Sequence, residues 1–158
     1  MAIATRPLQQ LEPYDFPPSG EFLGLAKAVQ RWVVAYYEDE AAAFAATVVP
    51  IDAMRDATPE MKRAGRCVPC RFLGLWAMTW PGEEPSPHGH IWLFEDGIRE
   101  EARRRRISLS DQIADTILHE IDHALERDHV LEGLQQAKAE GWWPAGVGRA
   151  AASAVPCG

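Results

Sequence analysis

The sequence predicts a small α+β domain: an antiparallel or mixed sheet of about three to four strands, an N-terminal helix, and a second long helix near residue 120. Three observations carry this. Apolar residues recur at three- and four-residue spacing around residues 22–36 and again around 113–124. Between those stretches lie short apolar runs rich in aromatic and β-branched residues, bounded by proline and glycine. The length of 158 residues, with 47% hydrophobic and 25% charged, suits one folded domain rather than a disordered chain.

Residues 1–20 read as an extended leader, because prolines at 7, 13, 17 and 18 forbid a continuous helix. Residues 21–158 then form the single domain. Ser19 is placed to cap a first helix from about Gly20 to Tyr37, whose Phe22, Leu25, Ala26, Val29, Trp32, Val33 and Tyr36 make one apolar stripe. Phe44 to Ile51 reads as a strand, with its Thr-Val-Val run and Pro50 near its end. Phe72 to Trp80 (FLGLWAMTW) and His90 to Phe94 (HIWLF) read as two more, an antiparallel pair joined by the loop PGEEPSPHG. The segment EDGIREEARRRR is polar, and its Arg103 to Arg106 run reads as a solvated loop or an ion-paired surface. Ser108 or Ser110 caps the long helix, which ends near Glu126 or Arg127. Leu131 to Glu140 is a further helix, and the Gly-, Ala- and Pro-rich tail carries no pattern.

Charge and composition exclude several classes of function. A net charge of −7 and a pI near 5.2 disfavour unspecific nucleic-acid binding, which needs a positive field. No stretch reaches the roughly 20 apolar residues that span a bilayer, so no membrane partner is expected. The first residues lack the apolar core of a secretory signal. Three cysteines, an odd number, make no disulfide framework, and a reducing, cytoplasmic location is expected.

The chemistry concentrates in residues 119–129, HEIDHALERDH. His119 and His123 stand four residues apart, so a helix puts both imidazoles on one face, within reach of one ion. Glu120 lies beside them, close enough to handle a proton without being a ligand. Ile113, Ile117, Ile121 and Ala124 form a separate stripe roughly opposite, which lets one face pack while the other meets a cleft. Neutral imidazole suits Zn2+, and a catalytic zinc site keeps three protein ligands and one open position. There the ion lowers the pKa of water toward about 7, and a carboxylate takes the proton. His129 is the leading third ligand. On an unbroken helix it would point about 100° away and lie roughly 9 Å along the axis, so the helix must stop near Glu126. Glu132 and Glu140 are the alternatives.

This motif resembles that of the zincin metallopeptidases, and the order helix, strands, motif helix is similar to their small single-domain members, such as the SprT/Spartan-like proteases and minimal zincins. The resemblance implies a zinc peptidase with His119 and His123 as ligands and Glu120 as general base. It implies a protein or peptide substrate, and a cleft edged by the strand before the motif helix, matched to His90–Phe94. The His129 spacing is also similar to the metzincin motif, though Glu126 replaces its glycine and no methionine follows residue 78. Three histidines at this spacing, ending in Asp128-His129, also resemble a bacterial endoribonuclease family of ribosomal RNA maturation, which lacks the glutamate. A zinc-dependent nuclease or other non-peptide hydrolase therefore stands as one alternative, and a non-catalytic module on a zincin fold as another.

Cys67 and Cys70 form CVPC. They read either as buried small residues, as a redox pair, or as half of a second zinc site closed by His88 and His90.

Overall fold

The computed structural model describes residues 16–36, 39–65, 67–77, 88–126 and 128–143, with the backbone alone at 36, 128 and 129. Helix α1 (Gly20–Tyr36) leads into α2 (Glu40–Val48) and strand β1 (Ile51–Met54). Two short helices follow, α3 (Pro59–Ala64) and α4 (Val68–Phe72), then β2 (Gly74–Ala77) and β3 (His90–Phe94). Three helices follow, α5 (Glu95–Arg105), α6 (Leu109–Leu125) and α7 (Asp128–Glu140). The class is α+β with a three-stranded mixed sheet, as the periodicities predict. Of the expected leader, residues 1–15 lie outside the described residues, and 16–19 are non-helical.

The sheet order is β1-β3-β2, with β1 parallel and β2 antiparallel to β3. The expected pairing of the last two strands is present, but shorter: Gly74 lies opposite Leu93 and Ala77 opposite His90, while residues 78–80 fall outside the described part. β3 is the central strand. The expectation that His90–Phe94 edges a cleft is therefore wrong, because both of its sides are hydrogen-bonded to neighbours, and among the described residues β1 and β2 are the edges. All five β3 residues are buried. Ile91 and Leu93 enter a large core with α1, α2, α6 and α7, whereas Trp92 and Phe94 enter a smaller one with Met54, Met61, Cys70 and Leu75. Burial on both faces explains the unbroken apolar run of β3, where alternation would mark a half-exposed strand.

The strand expected over Phe44–Ile51 is also wrong, since α2 occupies most of it. Asp39 caps α2 through its carboxylate, accepting from the Ala41 and Ala42 amides. Five of the nine α2 residues are alanine, the best helix former, and they outweigh the Thr-Val-Val run at its end. The strand begins only after Pro50. Elsewhere the caps act where the sequence puts them. Ser19 Oγ accepts from the Phe22 amide at the start of α1, and Ser108 Oγ from the Asp111 amide at the start of α6. The polar EDGIREEARRR segment is a helix, α5, that ends on Arg106 in the left-handed region at φ 56°. Its arginines are ion-paired: Arg103 to Glu100, Arg104 to Glu101 and Arg105 to Asp115.

Ile113, Ile117, Ile121 and Ala124 of α6 are fully buried against the sheet and α1, as their spacing predicts. Each isoleucine adds roughly 1.5–3 kcal/mol by leaving water. This stripe fixes the rotation of α6 and so decides where its other face points. Among the described residues, no helix is long and apolar enough to cross a membrane.

Candidate metal centre

The face of α6 away from the isoleucine stripe carries His119 and His123 on successive turns, with their rings 5.0 Å apart at 84°. Glu120 between them turns toward β2. The close approach of β2 to α6 depends on Gly74, where a Cβ would stand 2.8 Å from Thr116 Cγ2 and 3.0 Å from the Trp92 carbonyl. Because β2 is an edge strand, the Trp76 amide points outward, and it donates to Glu120 Oε1 at 2.8 Å. Glu120 is 1% exposed, so this bond offsets part of the cost of burying a carboxylate.

Facing α6 across the β2 edge is α4, which carries CVPC. Cys67 is its N-cap residue, and Cys70 sits in its only full turn. The two sulfurs are 2.8 Å apart. Cys67 Sγ lies 3.3 Å from His119 Nε2, and Cys70 Sγ lies 3.6 Å from His119 Nε2 and 3.4 Å from His123 Nε2. The four donor atoms all fall within 4.8 Å of one another. Two thiols and two imidazoles converging this closely can hold a metal ion. The Cys70 thiol also donates to Glu120 Oε2 at 3.2 Å, and the same oxygen is 3.8 Å from His119 Nε2.

Electrostatics suit the donors to a cation. Burial holds the His119 pKa below the ordinary imidazole value, and the neighbouring His123 lowers it further, so the ring is neutral at neutral pH and free to ligate. The Cys70 thiol is pushed far up, first by burial, then by its bond with Cys67 and by the negative charge of Glu120. A cation must therefore displace a proton there, and its binding releases protons. His123 Nδ1 faces Glu126 Oε1 at 3.6 Å, on the side of the ring away from the sulfurs. The centre opens at His119, whose side chain is 41% exposed, beside a cavity of about 220 Å³ lined by Pro69, Leu73, Gln112, Thr116, His119 and Glu120.

The sequence-predicted residues fare unequally. His119 and His123 lie in one donor group, and Glu120 contacts it through Cys70. The helix does end at Leu125, with Glu126 as its cap in right-handed geometry, so the turn needs no glycine. His129 then lies in the first turn of α7, and its side chain is outside the described residues. Glu132 and Glu140 are exposed, Glu140 accepts from Gln136, and neither joins the donor group. Cys67 and Cys70 do not meet His88 and His90 in a second group: His88 packs edge-on to Phe44, and His90 stacks on Trp92. They join His119 and His123 instead. The signal was present in the spacing, since Cys-x2-Cys followed by His-x3-His is a four-ligand pattern when both pairs are read together. Comparison with known protein families, curated proteins and solved structures returns no match to this chain.

Proposed function

We propose that the chain is a zinc-dependent hydrolase of the zincin type, a peptidase, in which His119 and His123 hold zinc and Glu120 is the general base. Zinc is favoured by the donor set. Tetrahedral bonds of about 2.3 Å to sulfur and about 2.05 Å to nitrogen set S···N separations near ~3.5 Å. The observed S···N distances of 3.3, 3.4 and 3.6 Å match, and the two sulfurs, 2.8 Å apart, would spread to about 3.8 Å on the ion.

The observation that supports hydrolysis is Glu120. A closed structural site needs no carboxylate among its ligand atoms, and burying one is costly. Here a carboxylate at 1% exposure stands 3.8 Å from a ligand nitrogen. A general base must lie in that place, within reach of a water at the ion. When bound, zinc supplies Lewis acidity, polarising a carbonyl and acidifying water. The rest falls to the chain. Glu120 takes the proton from water and passes it to the leaving amine, while the Trp76 amide fixes the carboxylate's orientation. The exposed side of His119 and the adjoining cavity give a substrate access. A peptide is the favoured substrate because His119, Glu120 and His123 stand in the arrangement that resembles the zincin peptidase motif. The nuclease alternative gains nothing from Arg104 and Arg105, which line the same cavity but are already paired with Glu101 and Asp115.

The four-donor set favours a second reading, a non-catalytic zinc module, because structural sites are closed and catalytic ones keep a position open. Two measurements separate them. Elemental mass spectrometry is expected to find about one zinc per chain, lost in His119→Ala and His123→Ala. A peptide-library screen, run with and without a dithiol, is expected to find cleavage that Glu120→Gln reduces by about 10²- to 10⁴-fold with zinc content unchanged. Zinc in every preparation with cleavage in none would leave the structural module standing.

A further inference from the structure

We infer that Cys67 and Cys70 are an oxidisable lock on the metal centre: as thiolates they close it, and as a disulfide they withdraw, leaving His119 and His123 as the donors among the described residues and a position open beside Glu120. This rests on the zinc hydrolase reading and supplies its regulation.

Three features carry it. The first is position. Glu120 Oε2, the oxygen that must face water, contacts Cys70 Sγ at 3.2 Å. With an ion held by the four donors, the Cys70 sulfur would therefore take the side that faces the base, and hydrolysis would require it to leave. The second is the sulfur pair. On zinc the two sulfurs would stand near ~3.8 Å, and in a disulfide they bond at about 2.05 Å. The two sulfurs are neighbours at 2.8 Å, within reach of each other. Both cysteines belong to one short element, Cys67 at the N-cap and Cys70 three residues on, so the bond can close within α4. His119, His123 and Glu120 are held separately, on α6, by its buried isoleucine stripe. The third is access. Cys70 is 1% exposed, whereas Cys67 is partly exposed, which gives an attacking thiol and a resolving one.

The co-reactant class is a hydroperoxide. The Cys67 thiolate attacks the distal peroxide oxygen, the O–O bond breaks, and the leaving oxygen takes a proton from solvent. Cys70 then attacks the Cys67 sulfenic sulfur, the S–O bond breaks, and protonated hydroxide leaves as water. The sulfur pair has lost two electrons and the peroxide has gained them: two thiolates, one ROOH and two protons give one disulfide, ROH and water. A dithiol reverses the change by thiol–disulfide exchange.

The test uses the full chain with Cys157→Ser, which removes the third cysteine, purified with zinc under a dithiol and then treated with hydrogen peroxide. The intact mass should fall by two hydrogens, and peptide mapping should join Cys67 to Cys70. Zinc capture by a chromogenic chelator should quicken by at least about 10-fold and slow again after dithiothreitol. Cys67→Ser/Cys70→Ser should give fast capture that peroxide does not change. Thiols that survive peroxide with zinc in place, a disulfide that leaves capture unchanged, or zinc release without a disulfide would each overturn the lock. A working lock with no peptide cleavage in the oxidised form would sink the hydrolase reading alone. A reduced chain that binds no zinc would sink both.

Discussion

Helices α5 and α6 are neighbours that both carry many ionisable side chains, eight in the eleven residues of α5 and six in the seventeen of α6, and use them in opposite ways. On α5 the charges answer one another along the helix, Arg103 to Glu100 and Arg104 to Glu101, three residues apart and mostly exposed. On α6 the ionisable groups find partners far away in sequence. Cys67 lies 52 residues from His119, Cys70 lies 53 from His123, and Trp76 lies 44 from Glu120. The difference follows from the other face of each helix. α6 has a full isoleucine stripe that locks its rotation, so its polar face can be aimed at a fixed point. α5 buries only Glu95, Ile98 and Ala102, and most of its charges meet water. A helix can hold a convergent site when its apolar face leaves it no freedom to turn.

The strongest way to break that comparison is to loosen the stripe. Ile117 is fully buried in the larger core. Ile117→Ala removes buried methyl groups and leaves a cavity, so it is expected to cost about 2–5 kcal/mol. For a domain of this size that is a fall in Tm of roughly 5–15 °C, read by differential scanning calorimetry. Zinc affinity should weaken with it, because the aim of His119 and His123 depends on the packing. A loss under about 1 kcal/mol would mean that the stripe does not set the rotation of α6.

Side chains of α5 also reach outside their own helix: Arg105 to Asp115 and Gln112 of α6, and, as a buried group, Glu95 to Ser19. Glu95, its first, is 5% exposed and accepts from the Ser19 amide and Ser19 Oγ, each at 2.7 Å, and from Arg99 Nε at 2.8 Å. Burial alone would raise its pKa, but the Ser19 and Arg99 bonds more than offset that, and the carboxyl is held below its ordinary 4.5. Glu95→Gln keeps the shape and removes the charge, with an expected loss of about 1–3 kcal/mol at neutral pH. A folded pKa below the unfolded one gives stability that is present in full above 4.5 and lost as pH falls through the folded value. The gap in denaturation midpoint between the two proteins should therefore shrink as the solution is acidified below 4.5. A gap that is constant with pH would show that the Ser19 bonds act through shape alone.

What the sequence reveals follows the same division between local and remote. The α6 cap at Ser108, its isoleucine stripe and the His119–His123 pairing depend on residues a few positions apart, and each is legible. The ion-paired character of the arginine run is legible for the same reason. The placing of CVPC is not. Whether Cys67 and Cys70 meet His88 and His90 or His119 and His123 depends on which strand lies at the sheet edge, and that is decided by the whole topology. The central place of β3 is hidden because its four apolar residues, Ile91 to Phe94, fit an edge with one covered face as readily as a core strand. α2 was misread because Val48 and Val49 outvote alanines on a strand scale, while the Asp39 cap tips the same residues into a helix.

The smallest expected effect sharpens the comparison from the other side. Arg103 pairs with Glu100 at 2.8 Å, but the two side chains are 69% and 74% exposed. Water screens the attraction, and ordering two long side chains has an entropic cost of similar size. Arg103→Ala is expected to change stability by no more than about 0.5 kcal/mol, with any change fading as salt rises. Urea denaturation at low and at high salt checks both points. A larger loss, or one that salt does not reduce, would mean that Arg103 has a partner beyond its own helix, and α5 would then belong with α6 rather than opposite it.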